Sequence, residues 1–331
     1  MEDGWKESGG DVVTGTGAGS GAAAGAEAGA AAGAEAAVAT EAGTEVVRLG
    51  PHTVQLRPEN GGKYPYGNPL VVQGAERTAM LDACLHAAPV DVDLLLISHY
   101  HEDHTVAAGR CAGEVWVHER DAEAVRSETE FAQAMAVPAS QMDRMREEFR
   151  WSPVPSAQAF VDGHVFDLGG GVRITALHLP GHTPGHSGFF IEPDGVVFLG
   201  DVDLSSFGPL YSDAESRIAD FRATLDRCAQ IEASVYAAAH HKGPYWARDE
   251  YLAALRVYAD VLDERERKVL DLVRAGATTA EEMVGRGVVY RPGRRPAFAD
   301  QVEVSTCGKH LDDLVERGIL AVDAGGAHTI V

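Results

Sequence analysis

The six residues His99-Tyr100-His101-Glu102-Asp103-His104 follow directly on the apolar run Leu94-Leu95-Leu96-Ile97-Ser98. A short continuous apolar run reads as a strand buried on both faces. The chain leaves the sheet at its end and becomes free to curl. Neutral imidazole and carboxylate are standard ligands for zinc and related divalent metals. His99 and His101 alternate along the chain, so they point to one side and share one metal. Asp103 and His104 lie a step further, at the expected start of a helix, and face a second. The bland alternative is a polar loop of solvated histidines. A buried strand that runs straight into such a cluster has little reason to do so unless its side chains bind something.

One segment cannot complete two metal shells. Leu179-Pro180-Gly181-His182-Thr183-Pro184-Gly185-His186 follows a strand over 172–179, and His182 sits in its Gly/Pro-rich turn. Phe198-Leu199-Gly200-Asp201 places Asp201 at another strand end, after a glycine that permits a sharp turn. Ser234-Val235-Tyr236-Ala237 precedes the adjacent pair His240 and His241. Strand ends on a shared sheet rim converge in space, so these three segments supply the missing ligands. His186 reads either as a support for the site or as a turn-stabilising histidine. His178, on the strand beside the ligand turn, reads as structural.

The remainder of the chain sets the frame. Its 331 residues suffice for one large α/β domain and a small appendage, and 45% hydrophobic content allows a sizeable core. The net charge of −22 repels polyanions, so nucleic acid binding would need a local basic patch. Cys84, Cys111, Cys228 and Cys307 are scattered with no CxxC pair, and read as reduced thiols of a cytoplasmic protein. No membrane span or secretory signal fits. Residues 1–44 are mainly Gly, Ala, Glu and Thr, too poor in large apolar side chains to offset ordering entropy, and are expected to form a disordered tail. Strands then predominate from 45 to 199. The charged, Met-containing stretch 121–150 is helical in pattern and reads as a lid or as core. Helices are expected at 214–231 and 248–263, so residues 45–263 form the catalytic domain. Residues 264–331 hold expected helices at 264–272, 279–284 and 302–317, then a hairpin around Ala324-Gly325-Gly326.

The order His-x-His-x-Asp-His, Gly-His-Thr, Gly-Asp and a late His before Gly-Pro resembles the metallo-β-lactamase superfamily, over roughly residues 45–263. The resemblance implies a four-layer αβ/βα sandwich with metals at one edge. It implies that His99, His101 and His182 hold the first metal. Asp103, His104 and a late histidine would hold the second, and Asp201 would bridge them. His241 is preferred for the late ligand because it directly precedes Lys242-Gly243-Pro244; His240 is the alternative. Residues 264–331 resemble a small winged-helix-like domain attached to some relatives. Arg291, Arg294 and Arg295 add a basic patch there, but its last helix carries Asp312, Asp313 and Glu316. Packing or homodimerisation is therefore expected of it ahead of nucleic-acid binding.

The expected activity is that of a binuclear metallohydrolase. Two divalent ions, zinc first with iron or manganese as alternatives, generate a metal-bridged hydroxide near neutral pH. Asp103 is expected to orient the water and take a proton. The expected substrate is a small ester, thioester or lactone; the alternative is a phosphodiesterase or endoribonuclease of the same fold. Hydroxyacylglutathione is not favoured, because Gly200-Asp201-Val202-Asp203-Leu204 departs from the pattern of such hydrolases. Tyr211 and Lys242 are candidate substrate contacts. An iron redox enzyme ranks low without a flavin domain, and a non-catalytic module fits poorly with so full a ligand set.

Overall fold

The computed structural model describes residues 38–40, 42–89, 91–293, 295–296 and 298–331. Two mixed sheets form its centre. The first has seven strands in the order β2 (Glu45–Arg48), β3 (Thr53–Arg57), β4 (Leu70–Gln73), β5 (Thr78–Leu81), β7 (Leu94–Leu96), β8 (Glu114–His118) and β9 (Gln158–Phe160). Its first four strands are antiparallel neighbours, and the rest run parallel. The second sheet has the order β10 (Val165–Asp167), β11 (Arg173–His178), β12 (Ser187–Glu192), β13 (Val196–Phe198) and β14 (Val235–Ala237), with only the last pair parallel. A short pair, β1 (Val38–Thr40) and β6 (Ala87–Pro89), lies apart. β1 falls inside the stretch expected as a tail, so paired backbone begins before Glu45. Residues 1–37 lie outside the described residues.

Strand periodicity builds the layers. Leu70, Val72, Leu94 and Leu96 face Ile174, Phe189, Ile191 and Phe198 between the sheets. Their neighbours Val71, Leu95 and Ile97 point the other way. They meet the helices α1 (Ala122–Arg126), α2 (Glu128–Ala134) and α3 (Met142–Phe149). Phe131, Met142, Met145 and Phe149 all lie in that core, so the helical stretch 121–150 is core and not a lid. On the far side, Val197, Leu199 and Tyr236 pack against α4 (Ile218–Gln230) and α5 (Arg248–Arg274) through Phe221, Leu225, Tyr251 and Tyr258. Helix, sheet, sheet and helix give the expected α/β sandwich of four layers.

Two local expectations are corrected. No helix starts at Asp103. The segment turns through a His104 N–H to His101 O bond and then pairs along the end of β5, with the Ala83 N–H on His104 O and the Val106 N–H on Ala83 O. The two helices expected at 248–263 and 264–272 are one, α5, which runs unbroken from Arg248 to Arg274. Its apolar positions Leu255, Leu262, Val269 and Val273 continue one buried stripe through the place where a break was expected. The C-terminal region adds α6 (Ala280–Met283), opened by a Thr279/Glu282 capping box, and α7 (Ala299–Glu316). The antiparallel pair β15 (Leu320–Val322) and β16 (His328–Ile330) completes it. Met283, Cys307, Leu311, Leu314 and Leu320 share a small core with Val269 and Val273. Cys84, Cys228 and Cys307 are buried, Cys111 half-buried, and all are free thiols. No helix of the described residues is long and apolar enough to cross a membrane.

The C-terminal helices are joined to the sandwich through buried polar contacts. Arg265 Nη1 donates to the Tyr211 oxygen, which leaves the hydroxyl hydrogen for His310 Nε2 at 2.8 Å. Burial, then the nearby Arg265, pushes the His310 pKa down to about 3. In the unfolded chain it titrates near ~6.5. Between those values the unfolded state takes up a proton that the folded state refuses, so stability falls as the pH drops through ~6.5. On going from pH 7 to pH 5, urea unfolding should show wild type losing about 2 kcal/mol more stability than His310→Gln. An identical loss in both would contradict the buried neutral role.

Candidate metal centre

Strand ends deliver the site, as the sequence suggests. His99 to His104 follow β7, His182 follows β11, Asp201 follows β13 and His240 follows β14. His99, His101 and His182 form one triad, and Asp103, His104 and His240 another, with the candidate ligand atoms of each within 4.8 Å of one another. His182 Nε2 lies 3.1 Å from His99 Nε2 and 3.0 Å from His101 Nδ1. His104 Nε2 and His240 Nε2 are 3.1 Å apart. Asp201 faces both groups: Oδ2 is 3.3 Å from His182 Nε2, and Oδ1 is 3.1 Å from His104 Nε2 and 3.4 Å from His240 Nε2. Asp103 Oδ2 lies 3.3 Å from His240 Nε2.

The second nitrogen of every ring fixes its tautomer. His104 Nδ1 meets Asp82 Oδ2 at 2.8 Å, and His101 Nε2 meets Asp213 Oδ2 at 2.6 Å. His182 Nδ1 meets Leu210 O at 2.8 Å, and His240 Nδ1 meets Gly62 O at 2.9 Å. These partners only accept, so each of those nitrogens carries the hydrogen. His99 Nδ1 meets Ser98 Oγ at 2.9 Å, and that hydroxyl gives its own hydrogen to Asp82 Oδ2. Ser98 therefore accepts from His99. The inward nitrogen of all five rings is left facing the cluster, where it can offer its lone pair to a metal once any proton on it is displaced.

Two less obvious groups hold this arrangement. Asp82 stands at the end of β5 with φ 61, a left-handed backbone uncommon for a non-glycine residue. That turn aims its carboxylate at the Ser98 N–H, the Ser98 hydroxyl and His104. His186 donates from Nδ1 to Leu179 O and accepts the Asp201 N–H at Nε2, so it positions the facing carboxylate. Burial, followed by the charge of His182, keeps His186 neutral with a pKa of about 3. Gly200 is required beside it: φ is 52, and a Cβ there would stand 2.6 Å from His186 Nε2.

The electrostatics favour trapped positive charge. Burial opposes charge on His101 and His240, yet Asp213 lifts the first and Asp201 the second, each to about 9. Burial would raise Asp201, but His104 and His240 hold it well below the ordinary carboxylate range. Asp201 Oδ1 is buried with no hydrogen-bond partner. Inward-facing imidazole nitrogens gathered around an orphaned carboxylate oxygen fit two divalent cations, which on binding would displace the protons held there.

Six of the seven expected ligands meet: His99, His101, Asp103, His104, His182 and Asp201. His241 is corrected to His240. The Ala239 N–H is bonded to Gly200 O, and the Asn68 N–H to Ala239 O, so the chain stays tied to the sheet until His240. His241 follows at φ 55, which swings its ring outward. Its side chain is 36% exposed, and its nearest acidic partner is Asp203, at 3.9 Å. Tyr211 is corrected too. It is fully buried against Phe221, and its hydroxyl is engaged by His310 and Arg265, so it cannot meet a substrate. His178 is structural, stacked on His118 and bonded to Pro184 O. Asp82, Asp213 and Ser98 have no sequence signal that marks them as ligand partners. Asp213 lies more than a hundred residues from the histidine it orients.

A two-sheet sandwich with a buried His/Asp cluster at its rim defines the class of protein. The chain belongs to the metallo-beta-lactamase superfamily, whose profile matches residues 74–240, just over half of its length. It is similar to the hydroxyacylglutathione hydrolase GloC of Haemophilus influenzae, 34% identical over 118 residues that make up 34% of this chain and 50% of that protein. It is also similar to an atrochrysone carboxyl ACP thioesterase of Claviceps purpurea, 24% identical over 200 residues, 56% of each chain. The chain spans about half the length of these curated relatives. Among solved structures, a metallo-beta-lactamase family protein of Thermus thermophilus superposes with a TM-score of 0.68 at 24% identity, over 86% of this chain and all of that one. A beta-lactamase domain protein of Burkholderia ambifaria gives 0.62 at 17%, over 87% and 94%. Both likenesses concern the fold.

Zinc reconstitution followed by elemental analysis separates the two late histidines. His240→Ala should lose about one of two equivalents, and His241→Ala should keep both. The reverse pattern would overturn the assignment.

Proposed function

We propose that the chain is a binuclear metallohydrolase acting on a small thioester, with esters and lactones as the neighbouring substrate classes. The observation that carries this reading is the pair of buried triads, with Asp201 within 3.4 Å of His182, His104 and His240 between them. Imidazole with carboxylate oxygen favours zinc. Such a metal pair supplies a water acidic enough to be hydroxide near neutral pH, and a Lewis acid for the substrate carbonyl oxygen.

The chain's own residues do the rest. Asp103 is buried, and although burial raises its pKa, His104 and His240 bring it below the ordinary value. It is thus suited to ligate and to accept a hydrogen bond from the water, more than to store a proton. Asp201 faces both triads, and its main chain is pinned by His186 and by the Tyr258 hydroxyl on its carbonyl. Thioesters are placed first because one curated relative is named a hydroxyacylglutathione hydrolase and the other an ACP thioesterase. Lys63 and Lys242 are exposed; Lys63 follows Gly62, whose carbonyl holds His240, and Lys242 lies two residues beyond His240, so they share one rim of the site. In a chain of net charge −22, a cationic rim fits a substrate with an anionic portion.

For the C-terminal region we propose a winged-helix-like domain that packs onto the sandwich and does not serve nucleic-acid binding. It has three helical segments and a terminal hairpin in that order. The apolar face of α7 is buried through Cys307, Leu311 and Leu314. Asp313 pairs with Arg317, at 2.8 Å, so the helix offers little to a phosphate backbone.

A panel of p-nitrophenyl ester, acyl thioester, lactone and bis-p-nitrophenyl phosphate tests the reading. Thioester turnover should be abolished by chelation, restored by zinc and absent in His101→Ala. Clean phosphodiester turnover with no acyl hydrolysis would overturn it.

A further inference from the structure

The loop between Asp201 and α4 links two parts of the molecule. On its inner side, the Leu210 carbonyl holds His182 and the Asp213 carboxylate holds His101. Two of the three ligands in the His99/His101/His182 triad therefore take their orientation from this loop. On its outer side, the loop is held by residues of α5 and α7. Arg265, itself buried, donates to the Pro209 carbonyl and, at 2.7 Å, to the Phe207 carbonyl. Ser305 Oγ donates to Ser212 O at 2.5 Å, next to Asp213. Tyr211, between the two inward-facing residues, is bonded to His310.

The second triad has no such dependence. His104 is oriented by Asp82 at the end of β5, and His240 by the Gly62 carbonyl. Both partners belong to the sandwich.

We propose that α5 and α7 are working parts of the metal centre: through Arg265, Ser305 and His310 they set the loop that orients His101 and His182, and so govern metal affinity at the three-histidine site but not at the Asp103/His104/His240 site. These are positioning residues, since none reaches the cluster itself. Loss of a group that orients a metal-bound histidine typically costs ~10–100-fold in affinity, and a misplaced loop should act likewise. The inference rests on the two-metal reading above.

The test uses the full chain labelled with 15N-histidine. Ring nitrogen shifts of the five histidines are followed while free zinc is set by a competing chelator. In Arg265→Met, the half-saturation points of His101 and His182 should move to at least ~10-fold higher free zinc, with those of His104 and His240 unmoved. Unchanged midpoints, or an equal shift at all the rings, would overturn the proposal. Ser305→Ala gives up one hydrogen bond at a half-buried position. If Arg265→Met does not fold, a several-fold shift confined to His101 and His182 is expected of Ser305→Ala, and none would overturn the proposal. A wild-type chain that takes up no zinc overturns the proposed function and this inference with it. Two-equivalent binding with the same midpoints in wild type and variants alike overturns this inference alone.

Discussion

Five imidazoles can face one another in a buried cluster only if each ring is held by its other nitrogen. That constraint organises this molecule. A carboxylate, a serine hydroxyl or a backbone carbonyl sits behind every ring and takes its hydrogen, which leaves the inward nitrogen facing the cluster. Desolvating so many polar groups would be costly without partners on both sides. The outer partners come from the fold, and the inner ones are the groups that fit metal ions.

The sandwich exists, in this sense, to fix the outer partners. Parallel β5 and β7 place Asp82 beside Ser98 and His104. The parallel pair β13 and β14 brings Asp201 and His240 out on the same rim. The left-handed backbone at Asp82 and the close approach of Gly200 to His186 are local strains placed where they aim a ligand or its support. The loop through Leu210 and Asp213 extends the same logic beyond the sheets and ties one half of the centre to the C-terminal helices.

Much of this was legible in the sequence, for a physical reason. Ligands at strand ends leave a local signature, an apolar run followed by a histidine or aspartate in a turn, and His99, His101, His104, His182 and Asp201 all carry it. The choice between His240 and His241 was not legible. It depends on where the chain lets go of the sheet, which the Ala239 bonds decide and spacing does not. Asp82 and Asp213 were missed because an orienting carboxylate needs only to reach one ring nitrogen, from any distance in sequence. Tyr211 follows Asp201 closely in sequence, which suggested a substrate contact, whereas the C-terminal helices cover it. The helix expected to end at 263 continues because its buried stripe passes from one core to the next without changing face.

The most direct test of this account is X-ray absorption on the full chain loaded with two equivalents of zinc. The account predicts a nitrogen- and oxygen-dominated shell at about 2.0–2.1 Å with strong imidazole scattering, together with a metal–metal vector near 3.5–4 Å. A sulfur-dominated shell, or isolated zinc with no metal–metal vector at that loading, would contradict it.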